Sequence, residues 1–224
     1  MNAAAPFNRK SVDPETAERL GQELLVQLQR RNTNMDKVKS LIEQGAKIDA
    51  RDSARNTPLH GAVGKRHFEA AKLLLETGAN PNAISENGMF PLMWTMESHA
   101  DGSAAIAQLL IDHGANTGQI YNDRTPLMWA ADGGYPDIAA VLAPTSDIME
   151  KSRDRNPRSS VDFADQANRP EIADMLRKTH KQKEIDAITL KRKTFDEAVG
   201  GMAIKRNVSA PRTARFRKAP VSQQ

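Results

Sequence analysis

Residues 57–62 read Thr57-Pro58-Leu59-His60-Gly61-Ala62, and the same stretch continues to Leu73-Leu74-Leu75-Glu76-Thr77-Gly78-Ala79-Asn80-Pro81-Asn82-Ala83. A Thr placed before Pro can cap a helix whose first turn tolerates the missing proline N–H. Ala70, Leu73 and Leu74 keep the i, i+3, i+4 spacing that gives a second helix one buried stripe. Gly78 supplies the left-handed residue that stops it, and Asn80-Pro81-Asn82 makes a polar turn. The stretch therefore predicts two short helices followed by a turn, a unit too small to bury its own apolar stripe.

The unit recurs along the chain. Thr57-Pro58-Leu59-His60 returns as Phe90-Pro91-Leu92-Met93, as Thr125-Pro126-Leu127-Met128 and weakly as Ser159-Ser160-Val161-Asp162, at steps of 33, 35 and 34 residues. Val38…Leu41-Ile42, Ile106…Leu109-Leu110, Ile138…Val141-Leu142 and Ile172…Met175-Leu176 repeat the second-helix stripe, and Gly45-Ala46 and Gly114-Ala115 repeat the stop. Self-similarity at such a period points to stacked supersecondary units whose neighbours complete each other's core.

These residues resemble the ankyrin repeat family over roughly 16–180. The resemblance implies an all-α fold, an ankyrin-repeat solenoid of stacked helix pairs joined by β-hairpin-like turns, with a basic and partly disordered C-terminal tail. The segments expected are a flexible N-terminus at 1–14, the array with a cap at each end at 15–180, a helical extension at 181–199 and a disordered basic tail at 200–224. Departures from the pattern mark irregular repeats. The first unit lacks Thr-Pro. Phe90 and Met93 replace the Thr and His that tie the corner, and about three extra residues near His99 lengthen the third unit's inter-helix loop. Ala143-Pro144 should end the fourth unit's second helix early, and Asn168 stands where the family prefers Gly.

The family usually holds a protein ligand between its hairpin tips and its first-helix face, the palm. Carried over by position, the candidate partner-binding residues are Asn56, Glu86, Met89, Tyr121, Asn122, Arg124, Arg155 and Arg158 at the tips, with Lys65, Glu97 and Asp132 on the palm. Tyr, Met and Arg are enriched at interface centres, which directs attention to repeats three to five. Trp94 and Trp129 are expected to act as core filler in place of Leu rather than as a stacking platform. His60 matches a corner histidine whose ring bonds neighbouring backbone.

No residue pattern suggests catalysis. Cys is absent, no His pair has i, i+4 metal spacing, no phosphate-cradling glycine motif occurs, and Ser98, His99 and Asp101 share one loop without a scaffold. We therefore expect no enzyme, no cofactor, no metal and a monomeric array. No apolar run is long enough to span a bilayer and no secretory signal opens the chain, so the expected place is cytoplasmic, with a nuclear or host-translocated protein as alternatives. The net charge of +4 is unevenly divided: residues 177–224 hold 13 Lys or Arg against 4 Asp or Glu, so the remainder is net negative. The basic end leaves open a nucleic-acid-associated or bacterial secreted effector role, although only Phe195 and Phe216 could stack on bases there and the acidic body disfavours a DNA groove.

Overall fold

The computed structural model describes residues 9–97 and 103–207, with side chains described as far as residue 194. The chain divides into two units, residues 1–180 and 181–224. The first is built of paired helices: α1 (Pro14–Leu28) with α2 (Met35–Glu43), α3 (Pro58–Gly64) with α4 (Phe68–Glu76), α5 (Pro91–Trp94) with α6 (Ser103–Asp112), and α7 (Pro126–Gly133) with α8 (Pro136–Leu142). A fifth pair is α9 (Ser160–Gln166) with the start of α10 (Pro170–Asn207). First helices pack on first helices, α1 on α3, α3 on α5 and α7 on α9, while α4, α6 and α8 form the second layer. The architecture is an all-α solenoid.

The sequence pattern accounts for each pair. Pro occupies the first turn of α3, α5 and α7. Val38, Leu41 and Ile42 of α2, Ala70, Ala71 and Leu74 of α4, and Ile106, Ala107 and Leu110 of α6 are buried as one continuous core. Burial of each such Leu or Ile side chain is worth about 1.5–3 kcal/mol, and every repeat obtains it only from its neighbours. After α2, α4 and α6 the backbone turns left-handed at Gly45, Gly78 and Gly114, with φ of 97°, 95° and 87°. The following alanine N–H then reaches back to the helix in each case, as from Ala79 to the Leu74 carbonyl at 2.9 Å.

The irregular repeats behave as their residues dictate. α8 ends at Leu142, just before Ala143-Pro144. Asn168 takes φ 54° after α9, at the position that Gly134 fills with φ 73° after α7. α5 has only four residues and its N-cap, Phe90, gives no side-chain cap bond, being buried at 1% exposure. The lengthened loop at 98–102 lies outside the described residues, and with it Ser98, His99 and Asp101.

Hairpins connect the repeats. Asp52 N–H bonds the Asn56 carbonyl at 3.1 Å, Ser85 N–H the Met89 carbonyl at 2.8 Å, and Ser152 N–H the Arg158 carbonyl at 2.9 Å. Tyr121 and Arg124 exchange both bonds, at 2.9 and 3.2 Å, across a tip where Asn122 and Asp123 adopt φ of 46° and 63°. Adjacent tips are also tied, through Glu86 N–H to the Ala54 carbonyl and Arg153 N–H to the Asp123 carbonyl, both at 2.8 Å.

The second unit corrects one expectation. Helix α10 passes the expected boundary at 199 and the pair Gly200-Gly201 and ends at Asn207. Glycine costs roughly 1 kcal/mol in a helix but keeps its N–H, so it weakens rather than breaks the run, and Met202-Ala203 and Lys205-Arg206 beyond it are good helix formers. The expected disordered stretch otherwise falls at 208–224, outside the described residues, as does most of the segment 1–14 expected to be flexible. Among the described residues no helix is long and apolar enough to cross a membrane.

Candidate functional site

Superposing the repeats in register places equivalent residues at the hairpin exit, three residues into the first helix, and near that helix's end. In repeat two these are Asn56, Gly61 and Gly64; in repeat three Met89, Trp94 and Glu97; in repeat four Arg124, Trp129 and Asp132; in repeat five Arg158, Phe163 and Gln166. The palm is thus a ladder of aromatic rings from Trp94 through Trp129 to Phe163.

In repeats four and five the ladder is clasped shut. Arg124 Nη1 donates to Asp132 Oδ2 at 2.7 Å, and its guanidinium lies over Trp129 at 4.9 Å and over Phe163 at 4.3 Å. Arg158 repeats the arrangement over Phe163 at 4.3 Å, bonding Gln166 Oε1 and lying 3.5 Å from Asp154. A planar guanidinium can do both at once, stacking by its face while its edge donates. Arg124 and Arg158, expected as contact anchors, are therefore engaged within the chain and only 21% and 23% exposed along their side chains. The structure sets Arg155 and Asn122 at exposed tips.

Repeat three leaves the ladder open. Met89 stands where Arg124 and Arg158 stand later, so nothing reaches across to Glu97, which is exposed and in no ion pair among the described residues. Two adjoining grooves result. One, of about 330 Å3, lies between repeats three and four and is walled by Met89, Met93, Met96, Tyr121, Trp129 and Tyr135, with Glu97 and Asp132 at its rim. The other, of about 420 Å3, lies between repeats two and three against Trp94, Asn56 and Met89, with Glu86 and Glu97 as its charged liners. A third cleft beyond Trp94 is bordered by Lys65 and again by Glu97. Asn56, Lys65, Glu86, Met89, Glu97, Tyr121 and Asp132 are thereby brought to one face; Arg155 and Asn122 line none of these grooves.

The tryptophans are half-buried and pack against the hydrophobic core, and they also wall the grooves. Trp94 packs where a Cβ at Gly64 would come within 2.5 Å of its Cε3, and meets the His60 ring edge-on with centroids 5.7 Å apart. Trp129 Nε1 donates to the Tyr121 carbonyl at 3.0 Å, whereas Trp94 Nε1 is buried with no hydrogen-bond partner among the described residues. Met93, Met96 and Tyr135 were missed by position-matching to the tips; the signal for the two methionines was a methionine-rich run, Met89 to Met96, around the weakest corner, and no such signal marked Tyr135.

The repeat corners carry the strongest electrostatic effects. His60 Nδ1 accepts from Thr57 N–H at 3.1 Å, which leaves Nε2 protonated to face the Met89 carbonyl at 3.4 Å. Burial pushes this imidazole down to about 4 from its usual 6.5, so it stays neutral and holds hairpin to helix. At the last corner Lys151, 2.6 Å from Asp162, and the Ser159 N–H hold that carboxyl down to about 2. His113 bonds the Leu109 carbonyl at 2.9 Å through Nδ1, finishing α6.

The sequence model described as ankyrin repeats, three copies, matches residues 8–85, 24–119 and 78–152. The chain belongs to the ankyrin repeat family. Among relatives of this ankyrin protein, a putative E3 ubiquitin-protein ligase of Arabidopsis thaliana is 34% identical over 115 residues, covering 50% of this chain and 30% of that one. Ankyrin repeat and SOCS box protein 16 of Homo sapiens is 37% identical over 102 residues, 44% of this chain and 21% of its own. Cyclin-dependent kinase 4 inhibitor B of Bos taurus is 32% identical over 123 residues, 54% of this chain and 90% of its own. The chain thus spans less than a third of the first two relatives. Ankyrin repeats generally mediate protein–protein interaction and are typically not enzymes.

Proposed function

We propose that this ankyrin array is a non-catalytic adaptor that binds a protein partner on the palm and hairpin tips of repeats two to four. The observation that carries the reading is the pair of open grooves walled by methionine, tyrosine and tryptophan around Met89 and Glu97. Large, adaptable apolar side chains flanked by a polar rim are the composition of an interface centre. The clasped repeats four and five hold the palm rigid beside them, which limits the ordering cost of binding.

Affinity capture followed by mass spectrometry tests this with the full chain, a palm variant combining Met89→Glu and Tyr121→Ala, and a variant on the opposite layer, Lys72→Glu. Partners should be retained by the wild type and by the Lys72 variant and lost from the palm variant. Identical partner sets for all three chains would overturn the choice of surface.

A further inference from the structure

The two adjoining grooves share Glu97, and every charged side chain that lines them is acidic: Glu86 on one, Asp132 on the other, Glu97 on both. Asp132 is offset by Arg124. Glu97 and Glu86 form no ion pair among the described residues, so their charge is available to a ligand. Lys65 borders only the third cleft and marks where the acidic stretch ends. Between the carboxylates the walls are apolar, formed by Met89, Met93, Met96 and Trp129. Each groove falls at the small end of the roughly 300–1,000 Å3 typical of ligand sites, a size suited to individual side chains.

We propose that this face takes an extended peptide segment in which a lysine or arginine stands beside a large apolar residue, the cation meeting Glu97 and the apolar side chain entering the methionine-walled groove. The inference rests on the adaptor reading above and names the partner's chemistry. Charge complementarity selects the occupant. Along these two grooves a phosphate-bearing ligand would meet three carboxylates and, among the described residues that line them, no cation, and an acidic peptide would be repelled in the same way. A long cationic side chain fits both parts of the surface, because its methylenes can lie along Met89 while its head reaches the rim.

Phage-displayed random heptapeptides selected on the full chain test it, with the best clones resynthesised for fluorescence anisotropy. Enriched sequences should carry Lys or Arg next to Leu, Ile, Met or Phe. Their affinity should fall about tenfold on Glu97→Gln, the scale of one charge-assisted hydrogen bond, and similarly when the peptide cation is replaced by norleucine. Met89→Gln should weaken them as well, while unfolding midpoints of both variants stay at the wild-type value. Cation-free peptides that are lost on Met89→Gln but not on Glu97→Gln would overturn the proposal and leave the adaptor reading standing. Peptides insensitive to both variants, such as acidic ones held by the basic tail, would overturn both. No enrichment above an empty support would overturn the cationic-peptide assignment, with the capture experiment still deciding the adaptor reading.

Discussion

Repeats three and four present the same palm register in two different states. In repeat four an arginine, a tryptophan and an aspartate interlock at eight residues' span, and α7 runs eight residues from a threonine cap whose Oγ accepts from Met128 N–H at 3.4 Å. In repeat three a methionine, a tryptophan and a glutamate occupy those places, the cap is a buried phenylalanine, and α5 has four residues. The aromatic ring is common to both, so the ring alone does not set the character of the surface. What sets it is whether the residue at the hairpin exit can bridge to the acid. Where it can, the groove is filled from within; where it cannot, a methionine-lined opening is left, with a carboxylate that has no ion pair among the described residues.

The largest expected contrast lies in the corner position, where repeat two has His60 and repeats three and four have Met93 and Met128. The folded chain keeps His60 neutral down to about 4, whereas the unfolded chain protonates near 6.5. Between those values the unfolded state binds a proton that the folded state does not, so stability falls as pH falls from about 6.5 to about 4 and this contribution is flat below. The loss is about 3 kcal/mol at 1.36 kcal/mol per pKa unit. Urea unfolding of the full chain at pH 7 and pH 4.5 measures it, with His60→Met as the control that makes repeat two resemble its neighbours. An equal pH dependence in the variant would remove His60 as the cause.

A smaller effect separates the two hairpin-exit residues themselves. Arg124→Ala removes the ion pair with Asp132 and two stacking contacts, and should cost about 2 kcal/mol after allowance for the partial exposure of Asp132. Met89→Ala removes only part of a half-exposed groove wall and should cost under about 1 kcal/mol. Denaturant midpoints of the two variants check the pair. Comparable losses would mean that the clasp does not distinguish repeat four from repeat three.

The period and the helix-stop glycines carried the fold, because Thr57-Pro58, Gly78 and the i, i+3, i+4 stripes act locally and are readable wherever they stand. The early end of α8 before Pro144 and the left-handed Asn168 were legible for the same reason. The end of α10 was not, since glycines lower helix stability without forbidding it, and Gly200-Gly201 reads as a stop only if its neighbours are ignored. At the site, position alone brought Met89, Glu97, Tyr121 and Asp132 to one face. It could not show that Arg124 and Arg158 are turned inward, because their partners stand eight residues on and the stacking ring, Phe163, belongs for Arg124 to the next repeat. Nor could it show that the tryptophans wall open grooves, which depends on Gly64 leaving room for Trp94.

The smallest contrast isolates a single hydrogen bond. Trp129→Phe and Trp94→Phe remove the same indole N–H and nearly the same volume from equivalent places in the ladder. In Trp129 that N–H serves the Tyr121 carbonyl and helps fix the hairpin, so its loss adds about 1 kcal/mol to the packing cost. In Trp94 the N–H is buried and has no partner among the described residues, so its removal relieves a desolvation cost of about 1 kcal/mol that offsets the lost packing. Trp129→Phe should therefore be less stable than Trp94→Phe by about 1–2 kcal/mol in urea unfolding. Because shape change is matched, equal stabilities would indicate that the Trp94 N–H is satisfied in solution, and the asymmetry between the open and the clasped repeat would then rest on the hairpin-exit residue alone.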